Sequence, residues 1–171
     1  SELRSFLLSN LSSNFVFRGL GEELLIRLVS NMTPISLNAE SVIVEQGSSP
    51  SEDDCMYLLQ EGTVDVIIAG GGPIRKDDDG QVVGHTIQLE KGPGWVFGDM
   101  TLLLNTPRSA SVVTKADCVL RTLSKNVFLG VAMVHAEGAR ALRFLRQLPL
   151  LKGLSDNLLF DVAERLHQET Y

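Results

Sequence analysis

Seven short runs rich in Val, Ile, Leu and Thr fall between Ile35 and Ser124, each bounded by Gly, Pro, Asn or Ser. They read ISL, SVIVEQG, CMYLLQEG, TVDVIIAGGG, HTIQLEKG, SASVVTK and CVLRTLS. Runs of this length and composition, closed by turn residues, read as strands. Strands arriving this regularly predict an antiparallel sandwich or jelly roll. With 44% hydrophobic and 21% charged residues, the 171-residue chain can fill the core that such a roll needs. The stretch 70–85, GGGPIRKDDDGQVVGH, is polar and rich in Gly and Asp, and reads as a long, mobile hairpin tip. Its three aspartates lack the Gly-containing, Glu-terminated spacing of a calcium loop and read as solvated.

Helical patterns flank this region. SELRSFLLSN carries Leu3, Phe6, Leu7 and Asn10 at helical spacing and predicts a short helix. In GEELLIRLVSNM, Leu24, Leu25, Leu28, Val29 and Met32 form one apolar stripe. After Ser124, KNVFLGVAM predicts one helix and HAEGARALRFLRQL another. The second carries Leu142, Leu145 and Leu148 on one face, and Arg140, Arg143 and Arg146 on a solvated or partner-facing stripe. Pro149 stops or kinks it. The expected class is mainly β with flanking helices.

Two segments repeat. FRGLGEELLIRLVSNM (17–32) and LKGLSDNLLFDVAERL (151–166) both read as an apolar residue, a basic residue, Gly-Leu, and an acid in the first turn of an amphipathic helix. The acid suits the positive end of the helix dipole. Their offset of 134 residues is too long for a solenoid repeat and about right for one domain. The layout expected is an N-terminal helix or linker at 1–14, a complete domain at 15–148, and the truncated start of a second at 149–171.

Charge and composition narrow the function. A net charge of −6, a pI of about 5.0 and no basic cluster longer than Arg75-Lys76 argue against nucleic acid as a partner. No run of 18 apolar residues exists to span a membrane, and the N-terminus is too polar for a signal peptide, so a cytoplasmic location is expected. Cys55 and Cys118 lie 63 positions apart without a CxxC pattern and read as free thiols. His85, His135 and His167 fall in a loop, at a helix start and in the second repeat, and no catalytic set converges.

The chemistry concentrates in VFGDMTLLLNTPRSASVV (96–113). Phe97-Gly98 permits a tight bend, and DMTLLLN fits a turn or two of helix whose first N–H groups are free to donate to an anion. Arg108 follows nine residues after Asp99, between Pro107 and Ser109. A guanidinium beside backbone donors binds phosphate, and a carboxylate accepts from a hydroxyl such as that of ribose. The pair is nucleotide-sized. The same two residues also fit a plain Asp99–Arg108 salt bridge holding a loop.

FGDMTLLLNTPRSASV (97–112) resembles the phosphate-binding cassette of cyclic-nucleotide-binding domains. That pattern runs Phe-Gly-Glu, a small residue, an apolar stretch, Pro-Arg, small residues and a strand. Upstream, VIVEQGSSPSEDDCMYLLQEGTVDVI (42–67) is similar to the family's two glycine-marked turns, here Gly47 and Gly62. LKGLSDNLLFDVAERL resembles the opening helix of a second such domain. The resemblance implies an eight-stranded antiparallel β-roll, jelly-roll-like, with a helical subdomain, and a cyclic nucleotide as ligand rather than a cofactor. Arg108 would hold the cyclic phosphate, helped by backbone N–H groups near Met100, Thr101 and Ser109. Asp99 stands where the family has Glu and would take the ribose hydroxyl, one methylene shorter. Thr101 stands where Ala is usual. Phe97, Gly98 and Ala110 complete the cassette. Ser109, a hydroxyl residue directly after the arginine, is similar to cGMP-type sites, where Ala marks cAMP-type ones. Gln88 is a second candidate base contact, and Tyr171 or Phe144 a candidate lid.

By the same resemblance the chain is a regulatory sensor that favours cGMP over cAMP. Ligand binding would move the helices at 124–148 and control a protein kinase catalytic domain in cis or in trans. The alternatives are a cAMP-binding kinase regulatory subunit and a degenerate domain serving as a ligand-free scaffold. A transcription regulator of the catabolite-activator type would need a helix-turn-helix after the roll, and a cupin-like enzyme would need a His-rich metal set. Channel gating would need a transmembrane region outside this sequence.

Overall fold

In the computed structural model the residues described are 1–70, 75–76, 78–79, 82–83 and 86–169. Two four-stranded antiparallel sheets form the roll. One contains β1 (Thr33–Leu37), β10 (Cys118–Ser124), β3 (Cys55–Glu61) and β8 (Val96–Phe97), in that spatial order. The other contains β2 (Val42–Val44), β9 (Ser111–Thr114), β4 (Val64–Ile68) and β7 (Ile87–Lys91). The seven runs thus become seven of the eight strands. The eighth, β8, is only two residues long and has no alternation to betray it. Its register against β3, with Tyr57 opposite Phe97 and Leu58 opposite Val96, carries the chain directly into the cassette. Within 70–85, β5 (Arg75–Lys76) and β6 (Val82–Val83) pair antiparallel, and the rest of that expected hairpin tip lies largely outside the described residues.

The helices follow the expected order, with shifted ends. α1 spans Glu2–Ser13 and α2 Glu22–Ser30, joined through a 3-10 turn at Phe15–Phe17. After the roll come α4 (Lys125–His135) and α5 (Glu137–Gln147), then a 3-10 turn at Pro149–Leu151 and α6 (Asp156–Gln168). Leu148 lies just beyond α5, so only Leu142 and Leu145 of the expected apolar face bury within that helix. No described helix is long and apolar enough to cross a membrane. The two repeated segments share a local fold. Each is a 3-10 turn, a glycine at positive φ (Gly19 at 78°, Gly153 at 94°) and a helix opened by an acid.

Burial divides the interior in two. Leu59, Val64, Phe97, Val112, Cys118 and Leu120 fill the roll. A larger cluster joins the helices to the roll's β3 side, and includes Leu11, Phe17, Leu28, Met56, Phe128 and Leu142. α5 lies directly on the first 3-10 turn. A Cβ at Gly138 would stand 1.8 Å from the carbonyl oxygen of Phe15, so only glycine allows that approach. Both cysteines are free thiols.

Candidate functional site

β8 ends at Phe97 and α3 (Asp99–Leu104) begins two residues later. Gly98 makes the corner at φ 84°, a conformation costly to residues with a Cβ. Space demands glycine there as well: a Cβ would lie 2.8 Å from Arg108 Nη1 and 2.9 Å from the Cys55 carbonyl oxygen. α3 ends at Asn105, φ 54°, a left-handed cap that Asn tolerates. Phe97 is stacked between Tyr57 and Trp95, with ring centroids 4.9 and 4.6 Å away. That aromatic stack fixes where the corner sits.

Arg108 is buried, with 6% of its surface exposed. Its backbone N–H donates to the Ser48 carbonyl at 3.1 Å, and its own carbonyl accepts from the Gly47 N–H at 2.8 Å. Nη2 donates to Asp54 Oδ1 at 3.2 Å and to the Cys55 carbonyl at 3.4 Å, while Nη1 donates to the Gly98 carbonyl at 3.5 Å. A guanidinium has five N–H donors, so Nε and one Nη1 hydrogen remain unspent on these contacts. The Asp99–Arg108 bridge left open by the sequence is not formed among the described residues; the ion-pair partner is Asp54. Asp54 sits in the loop between β2 and β3, and its only trace in the sequence is the acidic run Glu52-Asp53-Asp54. Burial, with Asp54 adding to it, pushes the Cys55 thiol upward against the pull of Arg108. The neighbouring Tyr57 hydroxyl is likewise raised, chiefly by burial. Both stay neutral at neutral pH and leave the guanidinium's charge to Asp54 and to whatever enters the cleft.

Asp99 is buried at the start of α3. Its Oδ1 accepts from the Met100 N–H at 3.0 Å and its Oδ2 from the Asn14 side-chain amide at 3.3 Å. Burial raises its carboxyl above the ordinary value, and the hydrogen bonds from Asn14 and Met100 and the charge of Arg108 oppose that rise. The Met100 N–H is therefore taken by Asp99 itself. The N–H groups of Thr101 and Ser109 have no protein acceptor among the described residues.

These groups border one open cleft of about 220 Å³. Gly98 to Thr101 and Arg108 to Ala110 form its polar side, with Phe97 behind them. Val44, Val66, Ile68 and Val112 form an apolar wall. The structure thus brings together eight of the nine sequence candidates. The ninth, Gln88, does not line the cleft; it lies exposed on β7 and donates to Asp65 at 2.9 Å. Nor does Phe144, which lines a separate cavity between α5, α6 and the first 3-10 turn. Tyr171 is outside the described residues. Two cleft residues escaped the sequence reading, Asp156 and Asn157 at the start of α6. Asp156 accepts from the Thr106 hydroxyl and pairs with Arg146 at 3.3 Å, and Arg146 also donates to the Leu154 carbonyl at 2.8 Å. One arginine of the α5 stripe therefore faces a partner, while Arg140 and Arg143 are exposed.

The chain is similar to known proteins in sequence and in fold. A cAMP-dependent protein kinase regulatory subunit from Blastocladiella emersonii is 28% identical over 174 residues, covering 99% of this chain and 40% of that protein. One from Emericella nidulans is 30% identical over 159 residues, covering 91% and 37%. The chain thus spans less than half the length of these relatives. Among solved structures, the regulatory domain of Toxoplasma gondii PKA with cAMP superposes with a TM-score of 0.64 at 24% identity, over 95% of this chain and 58% of that one. The regulatory subunit of a cAMP-independent protein kinase A from Trypanosoma cruzi, bound to guanosine, gives a TM-score of 0.63 at 21% identity, over 95% and 53%. The family model described as the cyclic nucleotide-binding domain matches residues 34–135, which take in all but the first residue of the roll, the Gly98 corner and the buried Arg108. With that match over more than half its length, the chain belongs to the cyclic nucleotide-binding domain family.

Proposed function

We propose that this chain is the ligand-sensing part of a protein-kinase regulatory system, and that its ligand is a purine 3′,5′-cyclic nucleotide held in the cleft at Arg108. The observation that carries this reading is the buried guanidinium with two donors unspent, beside the free N–H groups of Thr101 and Ser109 and facing a buried carboxylate. The phosphate sits on Arg108 and those N–H groups, and Asp99 accepts the ribose 2′-hydroxyl. Phe97, Gly98, Met100 and Ala110 shape the pocket, and the purine lies along the apolar wall. The kinase it controls is a catalytic domain in cis or in trans, as the names of its relatives suggest. Residues 1–14 are a linker helix, 15–148 the sensing domain and 149–171 the first part of a second copy. The repeated turn–glycine–helix fold supports that division.

The relatives' names support cAMP as the base-bearing ligand. One observation favours cGMP: Ser109 is exposed at the cleft, where its hydroxyl can accept from a guanine amino group. Calorimetric titration with cAMP and cGMP tests both readings. Arg108→Ala should weaken either nucleotide by about a hundredfold, the loss of two charge-assisted hydrogen bonds. If Ser109 recognises guanine, Ser109→Ala should shift the cGMP-to-cAMP preference by about fivefold towards cAMP. Unchanged binding in Arg108→Ala overturns the placement of the nucleotide on Arg108, and no binding of either nucleotide by the unaltered chain overturns the proposal in favour of a ligand-free scaffold.

A further inference from the structure

Asn14 stands far from the cassette in sequence, in the joint between α1 and the 3-10 turn. It is tied down on nearly every polar atom it has. Its backbone N–H donates to the Leu11 carbonyl at 3.1 Å, and its own carbonyl accepts from the Phe17 N–H at 3.2 Å. Its side-chain Oδ1 accepts from the Val16 N–H at 2.8 Å, capping the turn. That last bond also settles which way the amide faces. An N–H can point only at the oxygen, so the NH₂ end is the one directed at Asp99. There Nδ2 donates to Asp99 Oδ2 at 3.3 Å, across 85 residues of sequence.

Asp99 needs such a donor. It is buried, and its other oxygen is engaged with the Met100 N–H, which belongs to its own helix and cannot fix the carboxylate against the rest of the fold. Among the described residues Asn14 supplies the only hydrogen bond that Asp99 accepts from another side chain, and it comes from outside the cassette. We infer that Asn14 is a positioning residue for sugar recognition: its amide aims the Asp99 carboxylate so that the remaining lone pairs meet the ribose 2′-hydroxyl of the bound cyclic nucleotide. A carboxylate one methylene shorter than Glu has less reach and tolerates less misdirection, so the aim counts for more here. This inference rests on the proposed function, since it assigns Asn14 to the same cleft.

The test separates aiming from capping. Asn14→Ser keeps a side-chain oxygen able to cap the 3-10 turn, but its single short hydroxyl, engaged at the cap, does not extend to Asp99 as the amide NH₂ does, while Asn14→Ala loses both. Affinities are measured by calorimetry for whichever of cAMP and cGMP the unaltered chain holds more tightly, and for its 2′-deoxy analogue. Asn14→Ser should weaken the ribose form about tenfold, the weight of one hydrogen bond to a charged group, and leave the 2′-deoxy form within about twofold. Its melting temperature should stay near that of the unaltered chain, whereas that of Asn14→Ala should fall. Equal weakening of the two ligands, or no weakening of either, overturns the positioning role while leaving the proposed function standing. Failure of the unaltered chain to bind any cyclic nucleotide removes the proposed function and this inference together.

Discussion

Replacing Gly98 by alanine separates two costs that the corner imposes, because the fold contains a control for one of them. Gly98 and Gly47 have nearly the same backbone angle, φ 84° and 82°. A Cβ on Gly47 meets nothing within 4 Å, whereas one on Gly98 meets Arg108 Nη1 at 2.8 Å and the Cys55 carbonyl oxygen at 2.9 Å. Gly47→Ala therefore carries only the left-handed backbone cost of about 1–2 kcal/mol. Gly98→Ala adds forced overpacking of about 1–3 kcal/mol, since the carbonyl belongs to β3 and cannot swing aside. For a chain of this size each kcal/mol lowers the melting temperature by about 2–4 °C. At a middle value of about 3 °C per kcal/mol, calorimetric melting should thus show Gly47→Ala down by about 3–6 °C and Gly98→Ala by about 6–15 °C. Cyclic-nucleotide titration should diverge further. The Gly98 variant displaces the guanidinium and should lose at least about tenfold in affinity, the weight of one misplaced charge-assisted bond. The Gly47 variant should stay within about threefold, under about 0.7 kcal/mol. Equal melting losses in the two variants, or unweakened binding by Gly98→Ala, would refute the claim that this corner exists to seat Arg108.

Asp99→Asn should weaken cyclic-nucleotide binding about tenfold or more and yet raise the melting temperature at pH 7. Burial raises the Asp99 carboxyl above its ordinary 3.8, so it is the ionised form that burdens the fold. That burden is present above the raised value and is relieved as pH falls towards 3.8, so the variant's advantage should close by about pH 4 in a series of melts. Arg146→Ala removes the ion pair to Asp156 and the bond to the Leu154 carbonyl. It should cost about 1 kcal/mol, the scale of a partly exposed pair, and hydrogen exchange should show lost protection confined to α6. Leu103→Ala opens a cavity beneath α3, where the side chain is 4% exposed, and should cost about 2–5 kcal/mol in denaturant unfolding.

The strands were legible because each long run alternates and is closed by a breaker. β8 was not, because two residues between Trp95 and Gly98 carry no period; only its partner β3 makes it a strand. Arg108 was legible as a lone cation in apolar surroundings, and Asp99 as the acid at a glycine corner. Their partners were not. Asp54 and Asn14 lie 54 and 85 positions away from the residues they hold, and pairings of that kind are set by how the sheets close and how α1 meets α3. Gln88 shows the converse limit of reading proximity from sequence. It sits on a strand near the cassette in sequence, yet the β4–β7 register puts Ile67 opposite it and turns its amide to Asp65 on the solvent side. Asp156 and Asn157 reach the cleft through the α5–α6 contact, which helical periodicity alone does not place.

How a phosphate in the cleft could be felt by the helices follows from which element carries each contact. Most of the groups that hold Arg108 belong to the roll: Ser48 and Asp54 in the β2–β3 connection and Cys55 at the head of β3, with only the longer 3.5 Å bond to the Gly98 carbonyl coming from the cap of α3. Thr101 and Asp99 belong to α3, whose Leu102 and Leu103 are buried in the helical cluster with Phe128, Val131 and Leu142. A ligand spanning Arg108 and α3 therefore bridges a fixed part and a part packed against α4 and α5. Cores are close-packed and do not absorb such a displacement by deforming smoothly, so a shift of α3 must move its helical neighbours with it. The ligand can drive that shift only by binding one α3 position better than another. Under the proposed function, Arg108 keeps its two unspent donors as long as Asp54 holds it, and the difference then comes from the Thr101 N–H and the Asp99 carboxylate. That makes the six residues of α3, rather than the arginine, the element through which occupancy becomes motion.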